Sequence, residues 1–127
     1  MRRTLILALT ALVLSAAICW AGAGAVSRAV SAAEAYRQEA EDAVRRGDAQ
    51  GAAARLRSLS GEWRRRGRIL ELVTAHDALS DVGAAIADAR VCLENGDAAE
   101  FYRASAALRA ALERMRETEA VRVMNLF

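Results

Sequence analysis

His76 is the only histidine in the chain, with Asp77 beside it and Ser80 four residues on. A general base needs an orienting partner and a substrate proton within hydrogen-bond reach. On a helix Ser80 at i+4 can reach the ring, whereas Asp77 approaches it only obliquely. No Ser-His-Asp relay follows, because a nucleophile must point into a cleft and no nucleophile turn is present. His76 also falls on an apolar stripe, so it is expected half-buried, hydrogen-bonded across the molecule or stacked near Trp63, and without a catalytic role. Trp63 opens the run Arg64-Arg65-Arg66. Such a run can hold phosphate or a lipid headgroup; a charged face paired with an acidic neighbour is the plainer expectation. The two cysteines, Cys19 and Cys92, stand in segments of different character. A disulfide between them within one chain is not expected, and Cys92 is read as a small helix residue rather than an intermolecular link. One histidine cannot assemble a zinc site within one chain. There is no glycine-rich phosphate loop, H-E-x-x-H or paired-carboxylate signature. No catalytic residue, cofactor or metal is expected, and an enzyme centred on His76 is the weakest of the functional readings.

The elements that carry these residues are set first by composition. A chain of 127 residues with no proline and no lysine, in which alanine dominates and arginine and glutamate supply most of the charge, favours helix almost everywhere. Of the formal net charge of +2, Arg2 and Arg3 account for all, since residues 28–127 hold 16 arginines against 16 acids. That balance disfavours a nucleic-acid partner, which requires a basic surplus. Charge is nonetheless segregated. Residues 48–68 carry six arginines against two acids (+4), and residues 69–96 carry five acids against Arg90 (−4). Adjacent segments of opposite sign suggest two helices that complement each other.

Thr4 to Ser27 is a stretch of 24 residues without a charge. As a helix it would be about 36 Å long, enough to cross a hydrocarbon core of about 30 Å. The arginines in front of it keep the N-terminus cytoplasmic and send the remainder outward. A cleaved secretory signal competes with this reading, with small-residue sites near Ala23 or Ala25. Trp20 at an interfacial position and a helical apolar pattern running on through Val26, Ala29, Val30, Ala33, Tyr36 and Ala40 favour a retained anchor. Both readings place residues 28–127 outside the cytoplasmic membrane.

Beyond the anchor, Gly47-Asp48 and Gly96-Asp97 each combine a helix stop with the cap of the next helix. They divide the chain near 28–46, 48–94 and 97–117. The middle piece is too long for one helix in a compact domain, and a turn near 64–68, around Gly67, is expected to split it. Apolar stripes follow: Ala52, Leu56, Leu59 and Trp63; then Ile69, Leu72, His76, Leu79, Gly83, Ile86 and Leu93; then Phe101, Ser105, Leu108, Leu112 and Met115. The fold class is therefore all-α, an N-terminal membrane helix continuing into an antiparallel bundle of about four helices. A short helical-repeat adaptor is the minor alternative. Three segments result: 1–27 the anchor, 28–118 the bundle, and 119–127 an apolar tail. The tail is expected to dock back on the bundle, in extended form, or to offer Phe127 to a partner.

With Gly47-Asp48, Glu62-Trp63, His76-Asp77-x-Leu79 and the terminal Asn125-Leu126-Phe127 in place, the chain resembles, over nearly its full length, a family of small bacterial membrane-anchored all-helical proteins of unknown function, best known from spore-forming Gram-positive species. The resemblance implies a short basic N-terminus, one membrane helix and an all-helical extracytoplasmic part, and no activity. Members tend to carry an acid four residues after the histidine; here that position is Ser80, with Asp81 next. The expected role is a structural or protein-interaction one, as an accessory to another membrane protein or through self-association. The alternative is a sensor of anions or lipid headgroups along Arg55 to Arg68. Trp63, His76, Arg64, Arg65, Arg66 and Phe127 are the candidate interaction or packing residues.

Overall fold

The computed structural model describes residues 1–126. Among them the chain forms four helices: α1 (Arg2–Arg45), α2 (Ala49–Leu70), α3 (His76–Glu94) and α4 (Ala98–Leu126). No strand occurs among the described residues, and the all-α bundle anticipated from composition is the fold found.

α1 is one unbroken helix of 44 residues. No proline interrupts it, and its glycines lie where neighbours press close. Its first part is exposed and apolar: Leu5, Leu9, Leu12, Val13, Ile18 and Trp20 all face outward. This is the one helix among the described residues long and apolar enough to cross a membrane. From Gly22 onward the same helix acquires a buried face of Gly22, Val26, Ala29, Val30, Ala33, Arg37, Ala40 and Ala43, at spacings of three and four. The apolar leading segment and the first helix of the bundle are thus a single rod.

The two Gly-Asp corners fold as their residues require. Gly47 (φ +78°) and Gly96 (φ +69°) occupy the left-handed region that other residues resist. The Asp48 carboxylate accepts from the Gly51 amide at 2.8 Å, and Asp97 accepts from the Glu100 amide at 3.1 Å.

The third corner lies elsewhere than expected. The break between α2 and α3 falls at residues 71–75, not near 64–68, and Gly61 and Gly67 sit inside α2. The apolar residues that appeared to continue a stripe through Ile69, Leu72 and His76 instead cross a turn, so those three side chains are exposed. The tail also differs from expectation. α4 continues as helix through residues 119–126 rather than folding back as an extended strand, and Val121 and Met124 are exposed. Phe127 lies outside the described residues.

α1 packs on α2 and α4, and α3 packs on the same two helices, while neither diagonal pair touches. This closed square is a four-helix bundle rather than a stack of helical hairpins. Its centre is filled by Phe101, Leu56, Leu59, Leu70, Ile86, Leu108, Leu112 and Met115, with Ala52, Ala89 and Ala104 fully buried among them.

Candidate interaction surface beside the apolar segment

Sequence position alone determines which end of the bundle faces the apolar leading segment. α1 leaves the apolar segment and runs away from it, α2 returns, α3 runs away again and α4 returns. The last turn of α2, the 71–75 corner and the end of α4 therefore gather around α1 at Ile18 to Ala29. Val73 fits against Gly22 so closely that a Cβ at that glycine would lie 3.0 Å from the Val73 side chain. Arg122 of α4 donates to the Val73 carbonyl at 2.8 Å, tying α4 to the corner.

Two features mark this end. The first is a groove of about 470 Å³ between α1, the corner and α4, lined by Ile18, Cys19, Gly22, Leu72, Glu119 and Arg122 among others. Glu119 is 8% exposed. Its Oε1 has no hydrogen-bond partner and stands 3.6 Å from the Arg122 guanidinium, an ion pair too long to be a hydrogen bond. The second feature is a set of arginines on the outer side of α2. Arg64, Arg65 and Arg68 are exposed around Gly61 and border an open depression of about 360 Å³. Gly61 contributes no side chain, so the three guanidinium groups are not screened from an incoming anion.

The charge segregation legible in the sequence is not used as expected. Among the described residues no ion pair joins the arginines of 48–68 to the acids of 69–96. Arg55 pairs with Glu39 of α1 at 3.4 Å, Arg65 and Arg66 reach Glu62 one turn back at 3.9 and 3.6 Å, and Asp88 pairs with Arg103 of α4 at 3.3 Å. Helix pairing brings the apolar stripes of α2 and α3 together and turns most of their charges to solvent.

The remaining candidates separate. Trp63 is buried and donates from Nε1 to the Leu79 carbonyl at 3.3 Å, joining α2 to α3. His76 is the opposite case. It is the first residue of α3, exposed, with Ser80 Oγ 3.5 Å from Nε2 and nothing across the bundle. The expected packing role therefore fails for His76, because the corner falls immediately before it. Asp77 is exposed in the same turn, and no relay is assembled. Cys92 is buried, and Cys19 is half-buried in the apolar part of α1. Burial and the neighbouring Asp88 push the Cys92 thiol above its ordinary range. No group of three or more His, Cys, Asp or Glu side chains converges among the described residues.

Sequence reasoning missed the most connected polar cluster, which lies inside the bundle. Arg37 is 5% exposed on the inward face of α1. It donates through Nε to Glu34 at 2.9 Å and through Nη1 to Glu41 at 2.7 Å and Ser105 of α4 at 3.1 Å. The Ser105 hydroxyl in turn donates to Glu41 at 2.7 Å. The guanidinium beside it holds the Glu34 carboxyl below its usual range, and the same contacts raise Arg37. The spacing Glu34–Arg37–Glu41 was available as a signal, since i,i+3 and i,i+4 pairs share a helix face. Ser105 on an otherwise apolar stripe was the second hint.

A family profile for a domain of unknown function, DUF4363, matches residues 24–126. No curated protein and no solved structure matches the chain.

Proposed function

We propose, for a chain that belongs to the DUF4363 family, that the protein is a single-pass membrane protein whose helical bundle is held at the extracytoplasmic face as an accessory interaction module. The observation that carries this reading is the continuity of α1. Its exposed apolar part and its bundle-forming part are one helix, and Gly22, Ala25 and Val26, at the boundary, pack with the bundle. Cleavage near Ala23 would remove the Gly22 seat of Val73; cleavage near Ala25 would leave Val26 as the frayed end of a core helix. A signal peptide has no such structural duty, so retention is favoured. Arg2 and Arg3 ahead of the span favour the cytoplasmic N-terminus.

An accessory role agrees with a bundle whose interior is filled. His76 gives a catalytic reading no support, being exposed on one turn with only Ser80 near it. The intact mass of the protein extracted from its own membrane tests the anchor. A mass that includes residues 4–27 is expected, and a chain beginning at Gly24 or Val26 would overturn it. Crosslinking in intact membranes tests the accessory role. Crosslinks from bundle residues to another membrane protein or to a second copy are expected; a bundle crosslinked to no protein would contradict it.

A further inference from the structure

We infer that the membrane end of the bundle is seated in the outer leaflet, with Arg64, Arg65 and Arg68 holding the phosphates of anionic lipids and Ile69 and Leu72 lying at the edge of the hydrocarbon. The inference rests on the anchored reading and adds to it a ligand class and a site. A hydrocarbon core of about 30 Å takes about 20 residues of helix, and the headgroup layer adds about 5–7 Å on each side. Counted from Thr4, the hydrocarbon ends near Ala23 and the headgroup layer spans roughly Gly24 to Arg28.

The last turns of α2 stand at this depth. Arg66, Ile69 and Leu70 border Ala25, Arg28 and Ala29, and Leu72 with Val73 borders Ile18 to Ala23. Arg68 therefore lies at the phosphate level, and Arg64 and Arg65 about one turn, or roughly 5 Å, above it, within reach of a long side chain.

Exposure follows the same gradient. Ile69, at the end of α2, is 64% exposed and Leu72, in the corner, 85%, and Val121 and Met124 of α4 are exposed at the same end. In water two such neighbours on a turn are a liability; at a bilayer surface they fit the apolar side of an interfacial segment with arginines above. The only acids close by on α2 and the corner are Glu62, which pairs with Arg65 and Arg66, and Glu71, which is exposed. Asp77 and Asp81 start α3 and give that helix the opposite charge, so contact with anionic lipid falls away from α3, and Arg28 of α1 and Arg122 of α4 are exposed at the same end as the α2 arginines.

The test uses the full chain in nanodiscs of phosphatidylcholine alone or with phosphatidylglycerol, read by hydrogen exchange. Amides from Arg64 to Val73 should exchange about fivefold or more slowly in the anionic discs, the factor that a single arginine–headgroup contact supplies. The combined Arg64→Gln, Arg65→Gln, Arg68→Gln variant should lose that slowing while the remaining bundle amides keep their protection. Equal exchange in the two discs overturns the inference. Slowing produced by inorganic phosphate added to phosphatidylcholine discs overturns it as well, since the arginines would then bind a free anion. A nitroxide on Leu72→Cys, in a chain with Cys19→Ser and Cys92→Ser, should be quenched more by oxygen than by a water-soluble nickel complex; the reverse order places the corner in water. A chain that inserts in discs but shows Leu72 in water leaves the anchor standing and removes the lipid contact. A chain that fails to co-elute with discs refutes the anchor and the inference together.

Discussion

At the scale of single residues, burial separates side chains that look alike in the sequence. Trp63 and His76 both fell on apolar stripes, yet one joins two helices and the other is exposed at a helix start. Trp63→Ala should cost about 3–5 kcal/mol of stability, whereas His76→Gln should change it by less than about 0.5 kcal/mol; chemical denaturation of both variants checks the contrast. Arg37 is the reverse surprise, a charge buried between Ala33 and Ala40 on a face whose apolar pattern was read through Tyr36. Arg37→Gln should lose about 2–3 kcal/mol, because the partners Glu41 and Ser105 keep their places with a weaker donor between them. A pH prediction follows from the same cluster. Glu34 is depressed in the folded state, so its contribution is present above the unfolded carboxyl value of about 4.3 and is lost as pH falls through the lower folded value. Melting temperature should therefore fall on acidification below about pH 4.5, and the Arg37→Gln chain should show a shallower fall. Equal slopes would mean that Glu34 owes nothing to Arg37.

At the scale of elements, the sequence announced two of the three corners. Gly47-Asp48 and Gly96-Asp97 combine a left-handed stop with a side-chain cap, a local chemistry that does not depend on the remaining fold. Asp48→Ala should cost about 1 kcal/mol through loss of the Gly51 amide's acceptor. The third corner has no such signature: Leu72, Val73 and Thr74 carry no turn residue, and only tertiary contact decides the break. Val73 is drawn against Gly22 and its carbonyl is held by Arg122, interactions between segments about 50 residues apart in sequence. The glycine that suggested a turn, Gly67, is helical with open space where a Cβ would stand. Gly67→Ala should accordingly stabilise the protein by about 0.5–1 kcal/mol, since helix interiors favour alanine. Gly22→Val should do the opposite by about 1–3 kcal/mol, by overfilling the seat of Val73. Thermal melts of the two variants in the same detergent give both signs.

At the scale of the whole molecule, most of the architecture was legible because helix propensity, amphipathic period and the uncharged leading segment all agree. Less legible was how charge would be distributed. Net sign along the chain suggested that α2 and α3 attract each other; in three dimensions their apolar stripes meet and their charges diverge, giving a basic side and an acidic side to one bundle. That arrangement, together with one rod serving both the apolar leading segment and the core, is what the proposed place at a membrane surface requires. The direct measurement of that claim is labelling of intact cells with a membrane-impermeant maleimide, using Asn95→Cys at the exposed far corner in a Cys19→Ser, Cys92→Ser chain. The account predicts that residue 95 is labelled without lysis and that the labelled protein stays with the membrane after an alkaline carbonate wash. Labelling only after lysis, or release of the labelled chain by the wash, would contradict it.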